Sequence, residues 1–317
     1  KPKKDPAKSG EPLPIDAPPE RDENETIGWN VAAVLPGGDP TLSQEFVVFG
    51  AHYDHLGVRR GQLHPGADDN ASGVSALLEA ARVLAAQKPA PKRSVLFIAF
   101  DLEEQGLFGS QHFVAAPPCP LASIKLFLNA DMIGRDAGGV IEPFVFVIGS
   151  ERAPELRQTV ETARTESALQ VGWLRADLIG PRSDHYPFEA KRVPFLFFCT
   201  GEHPDYHSPA DVPERLNHEK HARIARLMTR TLLASANAEA APAWRDEAVV
   251  DLEEVRTACR VLDALLATPG VLKEGTFQRG LAANTRSTLQ GYLDRGNITA
   301  AERTWLVSMC KVLLESL

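Results

Sequence analysis

A chain of 317 residues, 44% hydrophobic and 24% charged, can bury a core without disulfide staples, as one large domain or two smaller ones. With 34 Lys+Arg against 42 Asp+Glu, its net charge of −8 argues against nucleic acid as a partner. No apolar run reaches the roughly 18 residues that a membrane span needs.

Residues 1–26 are rich in Pro, Lys, Asp and Glu and poor in large apolar side chains, the composition of a flexible lead-in. The chain opens at Lys1 without a Met or a signal segment. The expectation is an extracytoplasmic product, secreted or periplasmic, whose targeting segment is absent from this chain. From residue 27 to about 240, apolar β-branched runs predict strands at Asn30–Leu35, Glu45–Ala51, Ser94–Phe100, Ile124–Asn129, Phe144–Ile148 and Pro194–Cys199. Helical apolar spacing falls between them at Ser72–Ala86, Glu104–Ala115 and Ala153–Ala168, and again at His218–Ala236. Strands apolar on both faces, separated by helices, imply a layered α/β domain with a mixed, mostly parallel sheet.

Residues 241–317 change character. Val249, Leu252, Val255, Val261, Leu262 and Leu265 repeat at helical spacing until Pro269-Gly270, and Thr299 to Glu302 form a capping box before Trp305 and Met309. This predicts a small helical extension that packs on the main domain or mediates self-association. The four cysteines show no CxxC, and only Cys259 and Cys310 are candidates for pairing.

The chemistry-bearing residues share a position. His52 and Asp54, Glu103 and Glu104, Asp131, and His203 and His207 each follow a different predicted strand. In an open α/β sheet, ligands bind outside the carboxyl ends of strands. Asp68-Asp69-Asn70, on a Gly-flanked loop before a helix, adds carboxylates. His, Asp and Glu without thiolates suit a borderline divalent ion, zinc above all. Taken singly, each has an ordinary explanation, such as a turn, an N-cap or a dipole-favoured acid. Four strand ends delivering them together leave less room for that. His218-Glu219-Lys220-His221 misses the HExxH spacing by one residue and belongs on an exposed helix face. Ser183-Asp184-His185 has the letters of a hydrolytic triad, but sequence neighbours rarely form one, so a structural turn bordering the pocket is expected.

Five segments in this order, Gly50–Gly57, Gly66–Gly73, Glu103–Ser110, Asn129–Gly134 and Tyr206–Pro209, resemble the motifs of the M28 family of zinc aminopeptidases. The resemblance implies a three-layer α/β/α sandwich carrying two zinc ions. It implies that His52 and Asp131 bind one ion, Glu104 and His207 the other, and that Asp69 bridges them. Asp54 would orient His52 through its other ring nitrogen, Glu103 would be the general base, and Tyr206 would stabilise the oxyanion. A cis peptide between Asp69 and Asn70 is also implied. Three ligating carboxylates and a bridging hydroxide would balance the charge of two zinc ions. The implied activity is release of N-terminal residues from peptides with a free amine. A glutaminyl cyclase-like or carboxypeptidase-like enzyme, or a non-catalytic module on this fold, are the competing readings. Arg135 and Arg182, near the expected pocket, keep the carboxypeptidase reading open.

Overall fold

The computed structural model describes residues 26–138, 141, 144–164, 168–248, 250–273 and 275–315. Residues 1–25 of the expected lead-in at 1–26, Val249 of the C-terminal repeat, and 165–167 of the third predicted helix lie outside the described residues.

Nine strands are present among the described residues: β1 (Val31–Leu35), β2 (Phe46–His52), β3 (Gly57–Arg59), β4 (Gln62–His64), β5 (Ser94–Phe100), β6 (Ile124–Ala130), β7 (Phe144–Ile148), β8 (Gln170–Leu174) and β9 (Phe195–Cys199). Seven form one sheet in the order β1-β5-β2-β6-β9-β7-β8, and β3 and β4 pair as a separate hairpin. The neighbours β5, β2, β6 and β9 are mutually parallel, whereas β1 and β7 run against them. Four adjacent parallel strands therefore end on one edge, and those are the strands that precede the candidate residues.

Period-two alternation separates the two faces. Val47, Phe49 and Ala51 of β2 join an apolar cluster with Val95, Phe97, Leu126 and Leu128. That face is covered by α1 (Gly73–Ala85), α3 (Glu155–Ala163) and α6 (His218–Asn237), through Leu77, Leu84, Leu156, Val160, Ile224 and Met228. Val48, Leu96, Ile98, Phe127 and Phe197 face the other way. They are covered by α2 (Phe108–Ala115) and α5 (His185–Ala190), the two helices flanking a stack in which Phe188 lies 3.9 Å from Phe127. A short helix, α4 (Ala176–Ile179), precedes α5.

The C-terminal helices α7 (Glu253–Ala267), α8 (Phe277–Arg295) and α9 (Ala300–Glu315) pack on this second face. Val255, Leu262, Leu289 and Leu306 share one cluster with Phe144 and Phe146. Arg303 of α9 donates to Glu254 of α7 at 2.8 Å and to Asp177 of α4 at 2.7 Å, tying the three helices together. The capping box forms as expected, with Thr299 N donating to Glu302 Oε2 at 2.8 Å. All four cysteines are free, so Cys259 and Cys310 do not pair.

Candidate active site

His52 is the last residue of β2 and is buried. Its Nε2 lies 3.3 Å from Asp69 Oδ1 and 3.4 Å from Asp131 Oδ1. Asp131 follows β6 directly. The other Asp69 oxygen, Oδ2, lies 3.1 Å from His207 Nε2, which is also 3.2 Å from Glu104 Oε2. Asp69 thus stands between two donor clusters, with one oxygen aimed at each. Glu103 groups with His52 and Asp131, their donor atoms lying within 4.8 Å of one another.

The Asp69 turn is held from all sides. Both Asp211 oxygens accept the Asp68 N–H, at 3.0 and 3.1 Å, and Oδ2 also accepts the Asp69 N–H at 3.1 Å. Asp68 Oδ1 accepts Gly134 N–H at 2.6 Å, and its Oδ2 faces His203 Nε2 at 3.3 Å. Asn70 donates to Ala130 O at 2.9 Å and accepts Gly73 N–H at 2.9 Å. A side chain at Gly73 has no room, since a Cβ would fall 2.6 Å from Ala130 O. The Asp69–Asn70 peptide is cis, as expected. Leu102, Met132 and His207 have positive φ without being Gly, and all three flank the cluster. Such conformations persist only where the surroundings over-determine them, and they gather at functional sites.

The electrostatics suit bound cations. Burial disfavours charge on His52, yet Asp131, Asp54 and Asp69 outweigh it and raise its pKa well above the ordinary range. The hydrogen bond to Asp69 raises that of His207. Burial pushes the Asp69 carboxyl up, but His207 and His52 more than offset this and hold it low. Burial drives Glu103 up to about 9, with Asp131, Asp184 and Glu104 adding to the effect. Packed carboxylates here draw positive charge onto the imidazoles, and a divalent cation supplies the same charge without protons.

Residues 30–232 match the model of Peptidase family M28. The chain belongs to this peptidase family. Aminopeptidase YwaD of Bacillus subtilis is 31% identical over 207 residues, covering 62% of this chain and 43% of that protein. Leupeptin-inactivating enzyme 1 of Streptomyces exfoliatus is 32% identical, covering 53% of this chain and 34% of its own. The chain thus spans about half or less of the length of these relatives. A solved zinc aminopeptidase from Bacillus subtilis superposes with a TM-score of 0.55 at 27% identity, covering 68% of this chain and 53% of that one. A glutaminyl cyclase from Porphyromonas gingivalis, at 19% identity and a TM-score of 0.52, shares the fold.

Within this M28 domain, the arrangement departs from the sequence expectations in four places. His203 does not join the cluster but faces Asp68 behind it. Asp54 meets His52 Nδ1 through its backbone carbonyl at 3.1 Å rather than its carboxylate at 3.6 Å. The carboxylate instead accepts the backbone N–H groups of Glu103 and Glu104, at 3.1 and 3.2 Å. Ser183, expected in a bordering turn, donates to Asp131 Oδ2 at 2.7 Å. His221 is half-buried, with Nε2 2.9 Å from Ser72 O, whereas His218 lies on the exposed face as expected. Tyr206 stacks on His207, ring centroids 3.8 Å apart. Arg135 is engaged by Asp205 at 2.8 Å and Arg182 by Glu202 at 2.6 Å.

Proposed function

We propose that the chain is a zinc-dependent exopeptidase that holds two zinc ions and removes residues from free peptide N-termini. The observation that carries this reading is Asp69, whose two oxygens face His52 and His207 on opposite sides. His52 and Asp131 complete one position, and Glu104 and His207 the other. Nitrogen and oxygen donors in a carboxylate-rich cluster, buried except at His207, fit zinc. Zinc bound there supplies Lewis acidity toward the scissile carbonyl and acidifies a water.

The remaining steps fall to side chains. Glu103 sits with His52 and Asp131 and accepts the proton of the attacking water, then delivers it to the leaving amine. Burial, with Asp69 and Asp131 nearby, disfavours ionisation of Tyr206, so its hydroxyl keeps the proton it donates to the developing oxyanion. The substrate ammonium needs an anionic acceptor. Glu103, before it takes the water's proton, and Asp131, whose Oδ2 already accepts from Ser183, are the carboxylates beside the His52 position that can accept it.

Pairing of Arg135 and Arg182 with carboxylates favours the aminopeptidase over the carboxypeptidase reading, since a terminal carboxylate would compete for both cations. The test compares a free-amine peptide with its N-acetylated and C-amidated forms, with and without chelator. Cleavage of the free-amine and amidated peptides alone, abolished by chelator, is expected. Rapid cleavage of the acetylated peptide with loss on amidation would reverse the assignment.

A further inference from the structure

His55 belongs to none of the roles above. It lies in the turn after β2, one residue beyond Asp54, and its side chain is 7% exposed. Its Nδ1 sits 2.7 Å from Glu104 Oε1 and 3.8 Å from Asp69 Oδ2, and these carboxylates are 7% and 5% exposed. Yet neither ring nitrogen of His55, nor Glu104 Oε1, has a hydrogen-bond partner among the described residues. The short approach therefore lacks the alignment of an N–H···O bond. A buried nitrogen and a buried oxygen that converge without bonding each other share the geometry of two ligands on one ion.

The ring is held there by its surroundings. Gly66, at φ +67°, passes so close that a Cβ would fall 2.4 Å from His55 Cγ. On the other side, the His207 ring meets the His55 ring edge-on, centroids 5.7 Å apart. The two imidazoles thus flank Glu104 and Asp69.

Resting on the dizinc reading, we propose that His55 Nδ1 is an additional ligand at the position formed by Asp69, Glu104 and His207. The two positions are then unequal. One then has four protein groups, Asp69, Glu104, His207 and His55, while the other has His52, Asp69 and Asp131, with Glu103 beside it. Closed four-ligand shells are the structural kind, and three-ligand shells leave a place for substrate. The His55 position therefore fills first as metal is added, and the substrate carbonyl meets the His52 side.

Cobalt(II) in place of zinc tests this without relying on activity. In the two-cobalt protein, each ligating imidazole contributes one exchangeable, paramagnetically shifted N–H resonance. Three are expected, for His52, His55 and His207, and one should vanish in His55→Ala. Chelator competition should show one ion of the His55→Ala variant held about tenfold or more weaker, with the other unchanged. Two resonances in the two-cobalt wild-type protein would overturn the assignment even if the variant failed to fold. So would unchanged affinities in a folded variant. A wild-type chain that binds fewer than two ions would instead overturn the dizinc reading, and His55's role with it.

Discussion

The Ser183 hydroxyl donates to Asp131 Oδ2 at 2.7 Å, with both residues buried. Asn129 Nδ2 donates to the same hydroxyl at 2.8 Å, so its hydrogen is directed at the carboxylate. The opposite Asp131 oxygen faces His52. Ser183→Ala should leave the fold intact and weaken the ion held by His52 and Asp131 by about 10–100-fold, measured by chelator competition. Unchanged affinity would make Ser183 a packing residue only.

Glu103 and Glu104 are neighbours with different tasks. Glu103→Gln should retain both ions and lower kcat by roughly 10²–10⁴-fold, because an amide of the same shape cannot accept the proton. Glu104→Gln should lose metal first and activity as a consequence. Metal content and turnover measured on the same preparations separate the two, and near-normal turnover in metal-replete Glu103→Gln would remove it as the base.

Asp54 holds both of those residues by their backbone N–H groups. Asp54→Ala should therefore impair metal binding through Glu104 and turnover through Glu103 together. A variant that changed one and spared the other would show that the clamp does not set both positions.

His185 gives a pH signature read in folding stability rather than in turnover. It stacks on Phe197 at 4.8 Å, and burial holds its pKa down at about 3. The unfolded imidazole titrates near 6.5, so below that pH the unfolded state binds a proton that the folded state does not. Stability is then lost as pH falls from about 6.5 toward 3, at up to about 1.4 kcal/mol per pH unit. His185→Phe should remove this component. Denaturant titrations at pH 7.5 and 5.5 should show wild-type losing about 1.4 kcal/mol more than the variant between them. Equal losses would contradict the account.

The layered fold and the site edge were legible because continuous apolar runs mark strands buried on both faces, and strand ends are adjacent to the residues they carry. His52, Glu103, Glu104 and Asp131 could be placed in this way. The short strand β8 was not, since Gly172 interrupts an already brief run. Helix α8 was also missed: only Ala282, Thr285 and Leu289 are buried, a thin apolar stripe. The supports of the site escaped for a different reason. Ser183 reaches Asp131 across 52 residues and Asp211 reaches Asp68 across 143, so no local pattern connects them. His55 stood inside a recognised motif, yet only three-dimensional placement brought it against Glu104.

The central claim is a pair of zinc ions bridged by Asp69. Anomalous diffraction at the zinc edge from crystals of the loaded protein tests it most directly. Two peaks are predicted, about 3.5–4 Å apart, with Asp69 Oδ1 nearest the ion beside His52 and Oδ2 nearest the ion beside His207. A single peak at full zinc loading, or two peaks with Asp69 touching only one, would contradict the account.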